Sequence, residues 1–284
     1  MLMQPLRNNA SRSVTSTVKV VPPPLKGWNA RDDLSDMDQD DAIVLDNLVP
    51  SDTGVFIRPG YATWVTGLGS AVLSLMEYSA PGSANKLFAT TATAVYDVTT
   101  SGAVGAAVVT GLSNGNWQHS MFATAGGSFL VMCNGADGVR NYDGAVWTTP
   151  VITGVTSANL VTVTPHMSRL WFAEENTLKA WYLPTLAIAG AATSIELGSL
   201  SRLGGKLMAI ASWTRDSGAG IEDLAAFITS RGEVHIYGGT DPSSSTTWHR
   251  FGNLEGANPA PCCCRRRIGA AINMDFAARG NKGR

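Results

Sequence analysis

The sequence predicts an all-β fold, a β-propeller-like array of about four four-stranded blades, on three observations. First, an apolar strand, a polar turn and a second strand carrying a late Tyr recur four times. The copies are KLFATTATAVYDV (86–98), GSFLVMCNGADGVRNYDG (127–144), SRLWFAEENTLKAWYLP (168–184) and DLAAFITSRGEVHIYGG (223–239). Second, their tyrosines Tyr96, Tyr142, Tyr182 and Tyr237 lie 46, 40 and 55 positions apart, a spacing typical of blades that bury their faces on their neighbours. Third, the chain is 44% hydrophobic but only 15% charged, with 30 glycines. An average soluble domain is about 25% charged, so this surface suits a protein covered by other subunits.

Residues 1–25 are predicted to be a flexible arm, polar at first and then extended by Pro22, Pro23 and Pro24. Within 26–71, a docking segment, a helix is predicted over 36–47. Ser35 would be its N-cap and Asp38 would sit at the capping-box position. Asp36 to Asp41 would load the positive end of the helix dipole, Ala42, Leu45 and Leu48 would form the buried stripe, and Pro50 would stop the helix. The stretch 54–68 reads as strand, turn and strand. Blades are predicted over 72–250, with Asn134-Gly135, Asp137-Gly138, Asp143-Gly144 and Arg231-Gly232 at hairpin turns. After Trp248 the alternation fades, and Cys262–Cys264 followed by Arg265–Arg267 reads like GC-rich codons in the wrong frame. The expectation for 251–284 is an irregular basic tail produced by truncation or frameshift.

Net charge is −1, with about +5 on residues 262–284 and about −6 on the rest, so the body offers phosphates no counter-charge. The four cysteines lack zinc spacing, and three of them are adjacent, which suits a reducing compartment without disulfides. No stretch is apolar enough for a signal peptide or a membrane span, and no membrane partner is expected. Asp36, Asp38 and Asp40 resemble a calcium loop only in part: Asp41 stands where Gly is required, and Asn47 where Glu is required. His119, His166, His235 and His249 have no metal-ligand spacing, and Cys133 reads as a buried small hydrophobe. No nucleophile elbow, phosphate loop or dinucleotide fingerprint is present. The reading is a non-enzyme with no metal or cofactor. Trp64 and Trp117, near turns, are the possible ligand-facing aromatics.

The stretch PPLKGWNARDDLSDMDQDDAIVLDNLVPSDTGVFIRPGYATWVTGL (23–68) resembles the N-terminal signature of tail proteins from short-tailed bacteriophages. The resemblance rests on Pro23 through Asn29, Asp32, Met37, Ala42, Leu45, Asn47, Arg58, Gly60 and Tyr61, and HMSRLWFAEENTLKAWYLP (166–184) is also similar to a string of that group. It implies a virion tail hub or nozzle subunit, assembled in the host cytoplasm, usually as a homo-hexameric ring. Its partners would be other tail subunits on the adaptor or portal side, and DNA would leave through the ring without specific binding. Trp28, Asn29, Asp32, Asp36, Arg58 and Tyr61 become the candidate assembly residues. The alternative reading is a carbohydrate- or receptor-binding propeller module.

Overall fold

A computed structural model describes residues 20–216 and 221–255, which fall in two compact units divided between Thr63 and Trp64. The first unit holds four short strands. β1 (Gly27–Trp28) pairs in parallel with β2 (Asp41–Ala42), and β3 (Leu48–Ser51) forms a hairpin with β4 (Gly54–Ile57).

The second unit is built from four consecutive antiparallel meanders. Sheet 1 contains β6 (Ser74–Tyr78), β7 (Lys86–Thr90), β8 (Ala94–Asp97) and β10 (Val109–Thr110). Beside it, β5 (Val65–Thr66) and β9 (Gly102–Ala103) make a parallel bridge. Sheet 2 contains β11 (Gln118–Thr124), β12 (Gly127–Cys133), β13 (Arg140–Tyr142) and β14 (Trp147–Thr148). Sheet 3 contains β16 (Leu160–His166), β17 (Arg169–Glu174), β18 (Lys179–Tyr182) and β20 (Thr193–Glu196), beside a second parallel bridge of β15 (Ile152–Thr153) with β19 (Gly190–Ala191). Sheet 4 contains β21 (Leu207–Asp216), β22 (Ile221–Thr229), β23 (Glu233–Gly239) and β24 (Trp248–Glu255). The sixteen sheet strands fall in the region predicted for blades except for the end of β24, and each of the four tyrosines sits on the third strand of its sheet. Alternation and turn chemistry are local properties, which is why they survive into the fold.

Neighbouring sheets pack on one another, β6 with β12, β11 and β12 with β16, and β16 and β17 with β21. Each seam has its own apolar cluster. Met76, Tyr78 and Phe88 meet Leu130, Met132 and Tyr142 between sheets 1 and 2. Val131 and Cys133 meet Leu170 and Phe172 between sheets 2 and 3. Trp171, Tyr182 and Leu197 meet Phe227, Tyr237 and Trp248 between sheets 3 and 4. Each fully buried Leu, Phe or Met is worth about 1.5–3 kcal/mol over its exposed state, so the seams hold the unit together.

The sheets also repeat in pairs, which the sequence reading missed. TGLGSAVL (66–73) leads into sheet 1 and TGVTSANL (153–160) into sheet 3, identical at five of eight positions. Both parallel bridges end on a Gly-Ala pair, and Gly102 and Gly190 share a φ of 116°, a conformation that costs glycine little. In both pairs an acid on the second hairpin of the even sheet holds the incoming connector. Asp137 accepts from Ser113 N at 3.0 Å and Asn114 N at 3.3 Å. Glu233 accepts from Ser201 Oγ, from Arg202 N at 2.9 Å and from Leu203 N at 3.0 Å.

Three expectations are corrected. No α-helix occurs among the described residues, and 36–47 is a run of turns leading into and out of β2. Strands do occur at 54–57 and 65–66, as read from the sequence, but in different units: β4 folds back on β3, and β5 belongs to the second unit, so the boundary lies at 63/64 rather than 71/72. Finally, β24 pairs with β23 as far as Glu255, so the four-sheet region extends beyond 250. The arm up to residue 19 and the tail from 256 lie outside the described residues.

Candidate docking surface in the N-terminal unit

The first unit is organised by one side chain. Asn29 Oδ1 accepts from Arg31 N at 3.1 Å and Asp32 N at 3.2 Å, closing an Asx-type turn. Its Nδ2 donates to Asp32 Oδ2 at 2.9 Å and to Asp41 Oδ2 at 2.8 Å, so it ties together both ends of the 29–41 loop. Asp36 N and Met37 N both donate to Asp33 O, and Asp41 N donates to Asp38 O. The aspartates read as helix caps therefore serve turns. Asp and Asn stabilise either structure with the same oxygen, and the Asn29 tether selects the turns. The intended helical stripe also fails: Ala42 is buried, Leu45 half-buried and Leu48 exposed.

Among the candidate assembly residues, Asn29, Asp32 and Trp28 are brought together by β1 and the loop after it. Arg31 first, then Asn29, hold the Asp32 carboxyl down at about 2, so it is ionised at any physiological pH. Trp28 donates its indole N–H to Ile43 O at 3.0 Å while leaving 68% of its surface in water. Asp36 is exposed on its turn, and Lys26 pairs with Asp38. Arg58 donates its backbone N–H to Asn47 O at 2.7 Å and is exposed, and Tyr61 is 95% exposed.

Sequence reasoning did not foresee how apolar this surface is. Ile43, Val44, Phe56 and Ile57 are exposed as well as Trp28 and Tyr61. The signal was available in the runs AIVL and VFI: the helix reading placed only Ala42 and Leu45 of the first on a buried stripe, and the second was read as a strand. Residues 26–63 also carry eight aspartates against Lys26, Arg31 and Arg58. Apolar side chains set among charges resemble a protein interface more than a reaction centre. Asn29→Ala is expected to release the 29–41 loop at a cost of about 1–2 kcal/mol. Hydrogen exchange should show faster uptake in 27–42 and no change in 64–255; unchanged protection of 27–42 would show that Asn29 is not the tether.

In the second unit, Trp64 donates its indole N–H to Val98 O at 2.9 Å and is 56% exposed. Trp117 corrects its expectation: it is only 3% exposed and packed in the seam between sheets 1 and 2, where its backbone N–H donates to Ser74 Oγ at 2.9 Å. It offers no face to a sugar. Cys133 is buried in the next seam, as read from the sequence. Two of the four histidines, His166 and His235, are buried, and burial pushes both imidazoles below their ordinary value. Among the described residues, no group of three His, Cys, Asp or Glu side chains is placed to hold a metal, and no helix is long and apolar enough to cross a membrane.

Compared with known proteins, the chain matches no family model and no curated protein.

Proposed function

We propose that this protein is a non-enzymatic tail component of a short-tailed bacteriophage, a hub or nozzle subunit whose four sheets are β-propeller blades. The observation that carries the reading is the segment resembling the tail-protein signature, residues 23–68, most of which forms a separate compact unit with its aromatic and aliphatic side chains turned to water. A segment of that kind lowers its free energy by docking. The role is mechanical: the sheets form a rigid scaffold, and the N-terminal unit attaches each copy to a neighbouring subunit in a ring. The excess of aspartate in 26–63 calls for a partner face that is apolar at its centre and basic at its rim. The acidic balance of the body suits a conduit that lets DNA pass without gripping it. Trp117's burial counts against the sugar-binding alternative.

The test is to find the chain in particles. Peptides from 64–255 should co-purify with gradient-banded virions from the source lysate, and antibodies to that region should label the tail end. Particles lacking the chain would overturn the reading. Where assembly is reconstituted, the pair Ile43→Asp and Phe56→Asp is expected to abolish ring formation in sedimentation velocity while the second unit melts unchanged.

A further inference from the structure

The seam between sheets 1 and 2 and the seam between sheets 3 and 4 are built alike, with a chemical difference at the end of the first strand of each. In the first, Tyr78 ends β6 and packs edge-on against Tyr142, while Phe88 lies against Tyr142 and Trp147. In the second, His166 ends β16 at the matching position. It stands edge-on to Trp171 and Trp248, with ring centroids 6.4 and 6.3 Å apart. Tyr78 reaches the carbonyls of Ser128 and Asp143 with its hydroxyl, both at 3.3 Å. His166 meets Ser212 Oγ through Nδ1 at 3.0 Å, while its Nε2 is buried with no partner among the described residues.

That contact is the last rung of a ladder joining β16 to β21. Thr162 Oγ1 donates to Met208 O at 3.4 Å, and Thr164 Oγ1 to Ile210 O at 2.9 Å. The rungs therefore close the same seam that the aromatic cluster fills.

We propose that the seam between sheets 3 and 4 is an acid-labile joint, closed while His166 is neutral and opened when it is protonated. A second proton would place a charge between aromatic walls and give Nε2 a donor with nothing to accept it, the costly case for a buried polar group. The charged and titratable groups around the ring do not cure this. Arg169 of β17, opposite His166 in register, carries the same sign and is already held by Asp241 at 3.4 Å and by the Tyr182 ring. Asp223 of β22 acts in the favourable direction, but it is exposed and its Oδ1 accepts from Thr214 of β21. From the remaining strands of sheet 4 come Tyr237 and His235 of β23 and the exposed Arg250 of β24.

The sign is set by burial, which holds the imidazole below its ordinary value of about 6.5. The closed joint is fully stable above that value and loses stability as pH falls below it toward the folded-state value. The first seam carries a phenol where this one carries an imidazole, so it has no such response.

Hydrogen exchange of the full chain at pH 7.5 and 5.5, corrected for intrinsic rates, tests this directly. Peptides from 160–166 and 207–214 are expected to lose protection at pH 5.5 relative to 74–78 and 127–133, by at most about tenfold, the ceiling that one pH unit of linkage sets. His166→Tyr, which copies Tyr78, and His166→Gln should each remove the difference, while His235→Phe should leave it. Equal protection of the two seams at pH 5.5 in the unaltered protein would overturn the proposal, as would an undiminished response in whichever His166 variant folds.

Discussion

Trp171→Ala is expected to cost the second unit about 4 kcal/mol, the range for emptying a large aromatic site that cannot collapse. Trp171 is 1% exposed and packs on Tyr182, Phe227 and Trp248 at 5.0, 5.6 and 5.6 Å between centroids, and its indole N–H donates to His166 O at 3.3 Å. Its removal opens a cavity in the seam between sheets 3 and 4 and breaks its ring contacts with Tyr182, Phe227, Trp248 and His166 at once, the aromatic pairs each worth about 0.5–1.5 kcal/mol beyond their area. Domains are stable by about 5–15 kcal/mol in total, so the variant should unfold at a far lower urea concentration. Trp171→Phe is the sharper companion, because Phe88 holds the matching place in sheet 1. It should cost clearly less than the alanine variant, because it keeps one ring in the seam and leaves a smaller cavity. A loss under about 1 kcal/mol for the alanine variant would mean that this seam does not hold the unit together.

Glu233→Gln is expected to cost about 2–3 kcal/mol at pH 7, through hydrogen bonds to an ionised acceptor. Burial raises the Glu233 carboxyl, but bonds from Ser201 Oγ, Leu203 N and Arg202 N more than offset it and hold the group at about 2. A glutamine amide keeps one acceptor and turns an N–H₂ toward donors, so the connector into sheet 4 loses its anchor. The folded value lies below the ordinary carboxylate value of about 4.3. The stabilisation is therefore present above about 4.3 and lost as pH falls through about 2. Urea unfolding of both proteins at pH 7 and pH 3 checks this, with the gap between them narrowing in acid. A gap that stays constant would mean that the glutamine is merely misfitted and that the charge of Glu233 contributes nothing.

Both predictions concern features that a one-dimensional reading could not reach. Glu233 begins a strand in EVHIYGG and looks like any strand-edge acid. Its role depends on Ser201 to Leu203, some thirty positions earlier, and only the stacking of sheet 3 on sheet 4 brings them together. Trp171 was legible as blade filler, but its partners Phe227 and Trp248 were not. The segment singled out by its resemblance forms most of a compact unit, yet its local structure was misread. Ser35 and Asp36 to Asp41 satisfy the local rules for a helix start, and the competing tether from Asn29 is a contact across twelve positions. Trp117 was misplaced for a related reason: a tryptophan just before a strand is exposed or buried according to which sheet arrives beside it, and here sheet 1 does.

By itself, then, the sequence determined the all-β class, the sixteen sheet strands and their order, and the four hairpins whose second strand carries a tyrosine. These depend on period-two alternation and on turn residues, both of which act between neighbours in the chain. It also held, unread, the TG-x-x-SA-x-L echo that marks the sheets as two pairs. Only the tertiary structure decided that residues 36–47 are turns, that Trp117 is core and that Glu233 and Asp137 clasp incoming connectors. It also decided that His166 takes a tyrosine's place in a buried seam. Each of these outcomes depends on groups distant in the chain, whose free energies of burial and hydrogen bonding outweigh local propensities of a few tenths of a kcal/mol to about 1 kcal/mol.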